Sequence, residues 1–330
     1  MSEMHPSRRR FLQATLTAAG TSVAAASFAG DPPKVTAPRA TDGDERFEPD
    51  WDKRLTLTVG HEKGDLNGAD DKVLQAAVDY VARIGGGTVR VLPGTYRLRN
   101  SIYLPSGIRV IGSGPETIVT KVPSEPLPIS ADSDWYDQEI TIKQPAGLKV
   151  GDGVTIIAKS PSDGSRKVIK RTLVARSGNR FKLSDGLRNN VWLSAEPTCA
   201  SQFPLFTSEY TSDVTIENIT LDGDRENNIH LDGNYSGCIF LQDCNRYKFR
   251  GVEARNYNGD GISFQICHDV HVENCHSHDN ADLGVHPGSG SQRPVIRGCT
   301  LERNTIGLFW CWGVKYGLAE ENRIADNGNY

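Results

Sequence analysis

The sequence predicts an all-β protein, a parallel β-helix solenoid carrying an N-terminal capping helix and a small inserted β subdomain. Asparagine recurs at Asn256, Asn280, Asn304 and Asn327, at spacings of 24, 24 and 23 residues. Glycine-apolar pairs follow the first three, at Gly261-Ile262, Gly284-Val285 and Gly307-Leu308, each 23 apart. A fixed period of this length, built from short β-branched runs and turns, marks a solenoid. The composition agrees: 330 residues with 33 glycines and only 37% hydrophobic residues suit a narrow, turn-rich coil better than a thick core.

The asparagines read as turn residues, because asparagine tolerates positive φ better than a bulky side chain and can hydrogen-bond amide to amide along a column. Seven cysteines in an exported chain would ordinarily mean disulfides. Here Cys244 and Cys267 are 23 apart and Cys275 and Cys299 are 24 apart, so each pair is expected to stack as small buried hydrophobes on successive coils.

From the N-terminus, Ser7-Arg8-Arg9-Arg10-Phe11-Leu12-Gln13 precedes an uncharged alanine-rich run and Ser27-Phe28-Ala29. Residues 1–29 thus resemble a twin-arginine export signal, which implies a periplasmic or extracellular protein. The apolar run is too short for a membrane span. Residues 30–54 are proline-rich and charged and read as a linker. Residues 55–128 read as the cap and first coils: Asp70 or Asp71 caps a helix with apolar positions Val73, Leu74, Ala77, Val78 and Val81, and Gly85-Gly86-Gly87 stops it.

Gly68-Ala69-Asp70-Asp71, Leu74-Gln75-Ala76-Ala77-Val78, Gly85-Gly86-Gly87-Thr88-Val89, Leu92-Pro93-Gly94-Thr95-Tyr96 and Leu104-Pro105-Ser106-Gly107-Ile108 together resemble the head of the pectate lyase-like superfamily. The resemblance spans about 60 residues and implies a right-handed parallel β-helix whose open end the helix caps.

Residues 129–206 lose the coil pattern and read as short antiparallel strands joined by Ser/Asp/Gly turns, a barrel-like insertion able to shape a substrate groove. Residues 207–330 resume the solenoid, with a long loop from Asp224 to Asn234. The last ladder asparagine stands three residues before the end, so the expectation is a fragment whose further coils are missing.

Residues one period apart form columns, because parallel strands lie about 4.8 Å apart. With Ile262, Val285 and Leu308 inward, Ser263, His286 and Phe309 should face outward on one sheet. Asp260 and Asp282 should approach within roughly 5 Å, where like charges create an acid beside a base. That layout resembles the polygalacturonases, although the second aspartate of their aspartate pair and their glycine-histidine-glycine motif are absent. Leu283-Gly284-Val285-His286-Pro287-Gly288 is similar to the catalytic run of the mannuronan C5-epimerases and related alginate lyases, with His286 where those have aspartate. Asp260, Asp282 and His286 are therefore the acid/base candidates, His286 as a base for the proton α to a uronate carboxylate. Ser263, Phe309, Trp312 and Lys315 are the substrate-binding candidates, while alternation puts Trp310 inward beside Leu308.

His276 and His278, outward around an inward Ser277, could hold a transition metal or form a solvated polar face. Calcium, which the pectate lyase resemblance implies, needs several convergent carboxylates. A formal charge of -4 excludes the basic domain expected of a nucleic-acid binder. The functional expectation is an exported lyase, epimerase or glycoside hydrolase acting on a uronate-containing or related polysaccharide. The alternative is a non-catalytic β-helix scaffold for glycan binding or surface attachment.

Overall fold

The computed structural model describes residues 48–160 and 163–328; the export-signal reading of residues 1–29 lies outside them. Asp70 caps the helix Asp71–Arg83 by accepting from the backbone N–H groups of Lys72 and Val73. The helix buries Leu74, Ala77, Val78 and Val81 against the first coils. The segment 48–54, read from sequence as linker, is tied down instead. Glu48 receives bonds from Lys248, Arg250, Trp51 and Thr215, and so straps the segment across two successive coils. The sequence signal missed this because the anchoring residues are about 200 positions away.

Each coil contributes to three parallel ribbons. The first runs from Leu55–Gly60 through Gly87–Val91, Ile108–Lys121, Ser212–Asp222, Asn245–Arg250, His271–Glu273 and Val295–Arg297 to Leu318–Glu320. The second, comprising Gly94–Leu98, Glu253–Arg255, His276–His278, Thr300–Glu302 and Arg323–Ala325, joins the first through the long strands Ile108–Lys121 and Ser212–Asp222. The third comprises Ile102–Tyr103, Phe206–Glu209, Gly237–Gln242, Asp260–Gln265, Leu283–Pro287 and Ile306–Leu308. Alternate residues point inward and build one continuous apolar core, from Val59 to Leu301.

The asparagine column corrects the sequence reading by one position. Asn280, Asn304 and Asn327 form the ladder: each carbonyl oxygen accepts the backbone N–H one coil earlier, Tyr257 N at 3.0 Å, Asn280 N at 3.1 Å and Asn304 N at 3.1 Å. Asn280 also donates to the Asn304 side-chain oxygen at 3.0 Å. Tyr257, not Asn256, stands at the foot of this column. Asn256 aligns instead with Asp279, Arg303 and Asp326, and these four hold the positive φ of the turn, from 51° to 56°. Turn geometry and amide bonding are thus divided between adjacent residues. The glycine column has a packing cause: a Cβ on Gly261, Gly284 or Gly307 would strike the side-chain amide of Asn280, Asn304 or Asn327.

All seven cysteines are free and six are buried. Cys244 N donates to Cys267 Sγ at 3.4 Å, as stacking of equivalent positions requires. Between the strands Ile108–Lys121 and Phe206–Glu209 stands an antiparallel barrel of Leu127–Pro128, Glu139–Thr141, Gly153–Lys159, Arg166–Ser177, Arg180–Leu183 and Thr198–Ala200. Bonds from Ser130 N to Thr141 O and from Lys143 N to Pro128 O close its first strand on Glu139–Thr141, and a separate apolar core fills it. Among the described residues no helix is long and apolar enough to cross a membrane.

Candidate functional site

The third ribbon carries a column in register: Tyr103, Thr207, Phe240, Ser263 and His286. Phe309 continues it, its ring edge-on to the His286 imidazole at 5.6 Å. The expected column therefore exists, but its middle is not open to solvent. Ser263 is 0% exposed and His286 3%. The long loop lies over them, Ser263 Oγ donating to Gly233 O at 2.8 Å. A Cβ at Gly233 would collide with the Asp260 carboxylate, so only glycine lets the loop sit this close.

Asp260 and Asp282 each take a histidine rather than each other. Asp260, 0% exposed, bonds His286 Nδ1 through Oδ2 at 2.8 Å and accepts Leu283 N through Oδ1 at 2.9 Å. Asp282 pairs with His230 Nε2 at 2.9 Å, tying the loop to the coil. The expected carboxylate pair is thus replaced by two carboxylate-imidazole pairs, because an imidazole neutralises a buried carboxylate where a second carboxylate would repel it.

Burial raises the Asp260 pKa, opposed by the His286 bond and charge and by the Leu283 N–H, with Asp282 adding a small upward push. Burial would lower the His286 pKa, but the Asp260 carboxylate outweighs it and the net shift is upward. His230 is likewise raised by its bond to Asp282, against its own desolvation. With Nδ1 held by Asp260, the neutral imidazole carries its lone pair on Nε2. That atom is buried and has no hydrogen-bond partner.

Cys311 is the residue sequence reasoning missed. One coil step places it opposite Gly288, diagonal to His286 on the same face, and Ser289 Oγ lies 3.3 Å from its sulfur. Desolvation opposes ionisation of this thiol, yet the neighbouring His286 imidazole and Ser289 hydroxyl outweigh it and lower the pKa. The period alone could have found it, 23 residues after Gly288. Lys170 had no such signal, since it stands on the barrel. Its Nζ lies 3.9 Å over the Phe240 ring and donates to Tyr235 O at 2.7 Å, and burial brings its pKa down to about 8.

Barrel and ribbon together enclose a groove of about 1050 Å³, lined among others by Tyr103, Lys170, Arg188, Gln202, Thr207 and Phe240. At the other end of the column Phe309, Trp312 and Lys315 are exposed, Trp312 at 85%. Trp310, expected inward, is exposed too, its ring lying over Gly317, where a Cβ would meet it, rather than in the coil interior. His276 and His278 lie elsewhere, on the second ribbon beside Glu253, the three offering ligand atoms within 4.8 Å of one another. This nitrogen-rich set differs from the all-oxygen set calcium takes.

Residues 207–330 match the family model described as a right handed beta helix region. No curated protein matches the chain. Among solved structures it is similar to a putative glycosyl hydrolase from Parabacteroides merdae, at 14% identity over 75% of this chain and 87% of that one, with a TM-score of 0.44. A polygalacturonase from Erwinia carotovora shares 13% identity over 86% of this chain and 65% of its own, with a TM-score of 0.43. The A-module of a mannuronan C-5 epimerase from Azotobacter vinelandii shares 16% over 76% and 52%, with a TM-score of 0.39. The chain thus spans about half of the epimerase module and just under two thirds of the polygalacturonase. At these identities the likeness is one of fold: a right-handed parallel β-helix.

Proposed function

We propose that this protein processes a uronate-containing or related polysaccharide, with Asp260 and His286 as its acid/base pair. The observation that carries the reading is the buried imidazole whose Nδ1 is fixed by a carboxylate while its Nε2 is left without a partner. A buried polar atom without a partner costs about 1–3 kcal/mol, which a functional role explains. In the reaction, His286 Nε2 takes the proton α to the uronate carboxylate. The electron pair of the broken C–H bond passes into that carboxylate, for which Lys315 is the proposed neutralising cation, and Asp260 stabilises the imidazolium. Return of a proton to the opposite face gives epimerisation; loss of the neighbouring glycosidic oxygen gives lyase products. Hydrolase chemistry would instead use Asp260 or Asp282 as the acid. Ser263, Phe309 and Trp312 are proposed as sugar contacts, and the aromatic residues supply stacking faces.

The burial of the pair favours a second reading. With the loop seated on Asp260, a sugar ring reaches Nε2 only after the loop shifts, and a β-helix that never opens would be a glycan-binding scaffold. The full chain is to be tested against uronic-acid and neutral polysaccharides, following ultraviolet absorbance for unsaturated uronates, new reducing ends and changed uronate configuration. Activity unaffected by both His286→Ala and Asp260→Asn would refute the site; glycan binding with no product would establish the scaffold. Export by the twin-arginine route is part of the same proposal, supported by Arg8-Arg9 and Phe11-Leu12. Lysine substitution of both arginines should retain the protein in the cytoplasm, as fractionation would show.

A further inference from the structure

On the second ribbon, far in sequence from the loop that roofs His286, Ser277 points inward and donates to Gly284 O at 2.7 Å. Its neighbours His276 and His278 therefore share the outer face. Their rings stack with centroids 3.9 Å apart and planes inclined by 30°. Glu253, one coil earlier, is the register partner of His276 and reaches His278 Nε2 with Oε1 at 3.0 Å. One carboxylate oxygen and one nitrogen from each ring thus lie within 4.8 Å of one another.

The surroundings hold these groups in place. Thr220 Oγ1 donates to Glu253 Oε2 at 2.7 Å, and Arg255 Nη1 to Oε1 at 3.0 Å. Asp279 Oδ2 lies 2.5 Å from His278 Nδ1. His278 thus has a carboxylate at each ring nitrogen, Asp279 at Nδ1 and Glu253 at Nε2. A cation in place of the Nε2 contact would take the ring nitrogen and the Glu253 oxygen as ligands. A carboxylate on the outer nitrogen of a ligating imidazole is the arrangement that orients histidines in metal sites. Glu302, whose Oε1 lies 3.3 Å from His276 Nε2, is already engaged by Arg303 at Oε1 and by Arg323 at Oε2, which leaves a fourth position to water. The His276 side chain is 39% exposed, giving an ion a route in.

We propose that Glu253, His276 and His278 form a site for one divalent transition-metal ion of the zinc class, joining two successive coils of the solenoid. Two imidazoles and one carboxylate match the three-ligand sets that zinc accepts, with a tetrahedral position open. The ion is independent of the Asp260–His286 chemistry, which lies on another ribbon.

The test uses the full chain stripped with a chelator and titrated calorimetrically with Zn²⁺, with Co²⁺ as a spectroscopic probe. Wild type should bind one equivalent, show the visible absorption of tetrahedral Co²⁺, and melt at higher temperature when saturated. Glu253→Gln and His276→Gln should each abolish this binding and the metal-dependent rise in melting temperature. Asp279→Asn should weaken binding about ten- to a hundredfold. His271→Gln, on the neighbouring strand, should leave it unchanged. Should His276→Gln fail to fold, the isosteric Glu253→Gln carries the test. No saturable binding by wild type, or binding that survives Glu253→Gln undiminished, overturns the proposal and leaves the cluster as an ion-pair ladder.

Discussion

His286 has two nitrogens with opposite fates, and its pH behaviour follows from that. A base must be neutral, so the rate should climb as pH rises through the His286 pKa, which Asp260 holds above the ordinary 6.5. Asp260→Asn removes the larger upward influence and leaves burial, which pushes the other way, opposed only by Cys311; the rising limb of the pH-rate profile should move to lower pH. An unmoved limb would take His286 out of the rate-determining proton transfer. The Cys311 thiol gives a second reading of the same environment. It is the partly exposed cysteine among seven, and its pKa is lowered, so iodoacetamide should label Cys311 of the native protein first. His286→Ala should slow that labelling, and peptide mass spectrometry would show both. Periodicity alone places His286, Ser263 and Phe309 in one column. It could not show that the column is roofed, because the Asp224 to Asn234 loop has no repeat to register it and Gly233 gives no sign of what it approaches.

Between coils, the asparagine ladder satisfies backbone groups that water cannot reach. Asn280 is 1% exposed, accepts from Tyr257 N and donates to Ala254 O at 3.2 Å. Asn280→Ala should therefore cost about 3 kcal/mol by leaving a buried donor and acceptor unpaired, measurable by denaturant unfolding. The same change at Asn256, which bonds only Asp222 at 3.3 Å, should cost less. Sequence spacing located the column and misplaced its foot, since coils of 23 and 24 residues alternate and a single asparagine cannot reveal which step it belongs to. Glu48 shows the converse failure: a segment that looks like linker is fixed by distant partners. Burial opposes its ionisation, but Arg250, Trp51, Lys248 and Thr215 outweigh burial and hold its pKa well below the usual 4.5. Glu48→Gln should cost about 1–2 kcal/mol at neutral pH, a figure already reduced for the solvent reaching Arg250. Because the folded pKa is depressed, this contribution is complete above 4.5 and fades as pH falls below it, so melting curves of wild type and variant should converge in acid.

For the whole molecule, most coil steps join strands 23, 24 or 33 residues apart, and such near-neighbour pairing lets a solenoid grow from any nucleus. One step is different. Ser212 N meets Ser106 Oγ across 106 residues, with the barrel in between. Closing a loop of that size costs more entropy than closing the others. The barrel, however, is sealed on itself and has its own core, and its first and last strands pair at Leu127 with Cys199. Once folded, it brings the two ends of that long loop together, so the chain between the coils behaves as a short one. The insertion therefore acts on the order of events in folding: coils on either side of it can form separately, and their union waits for the barrel.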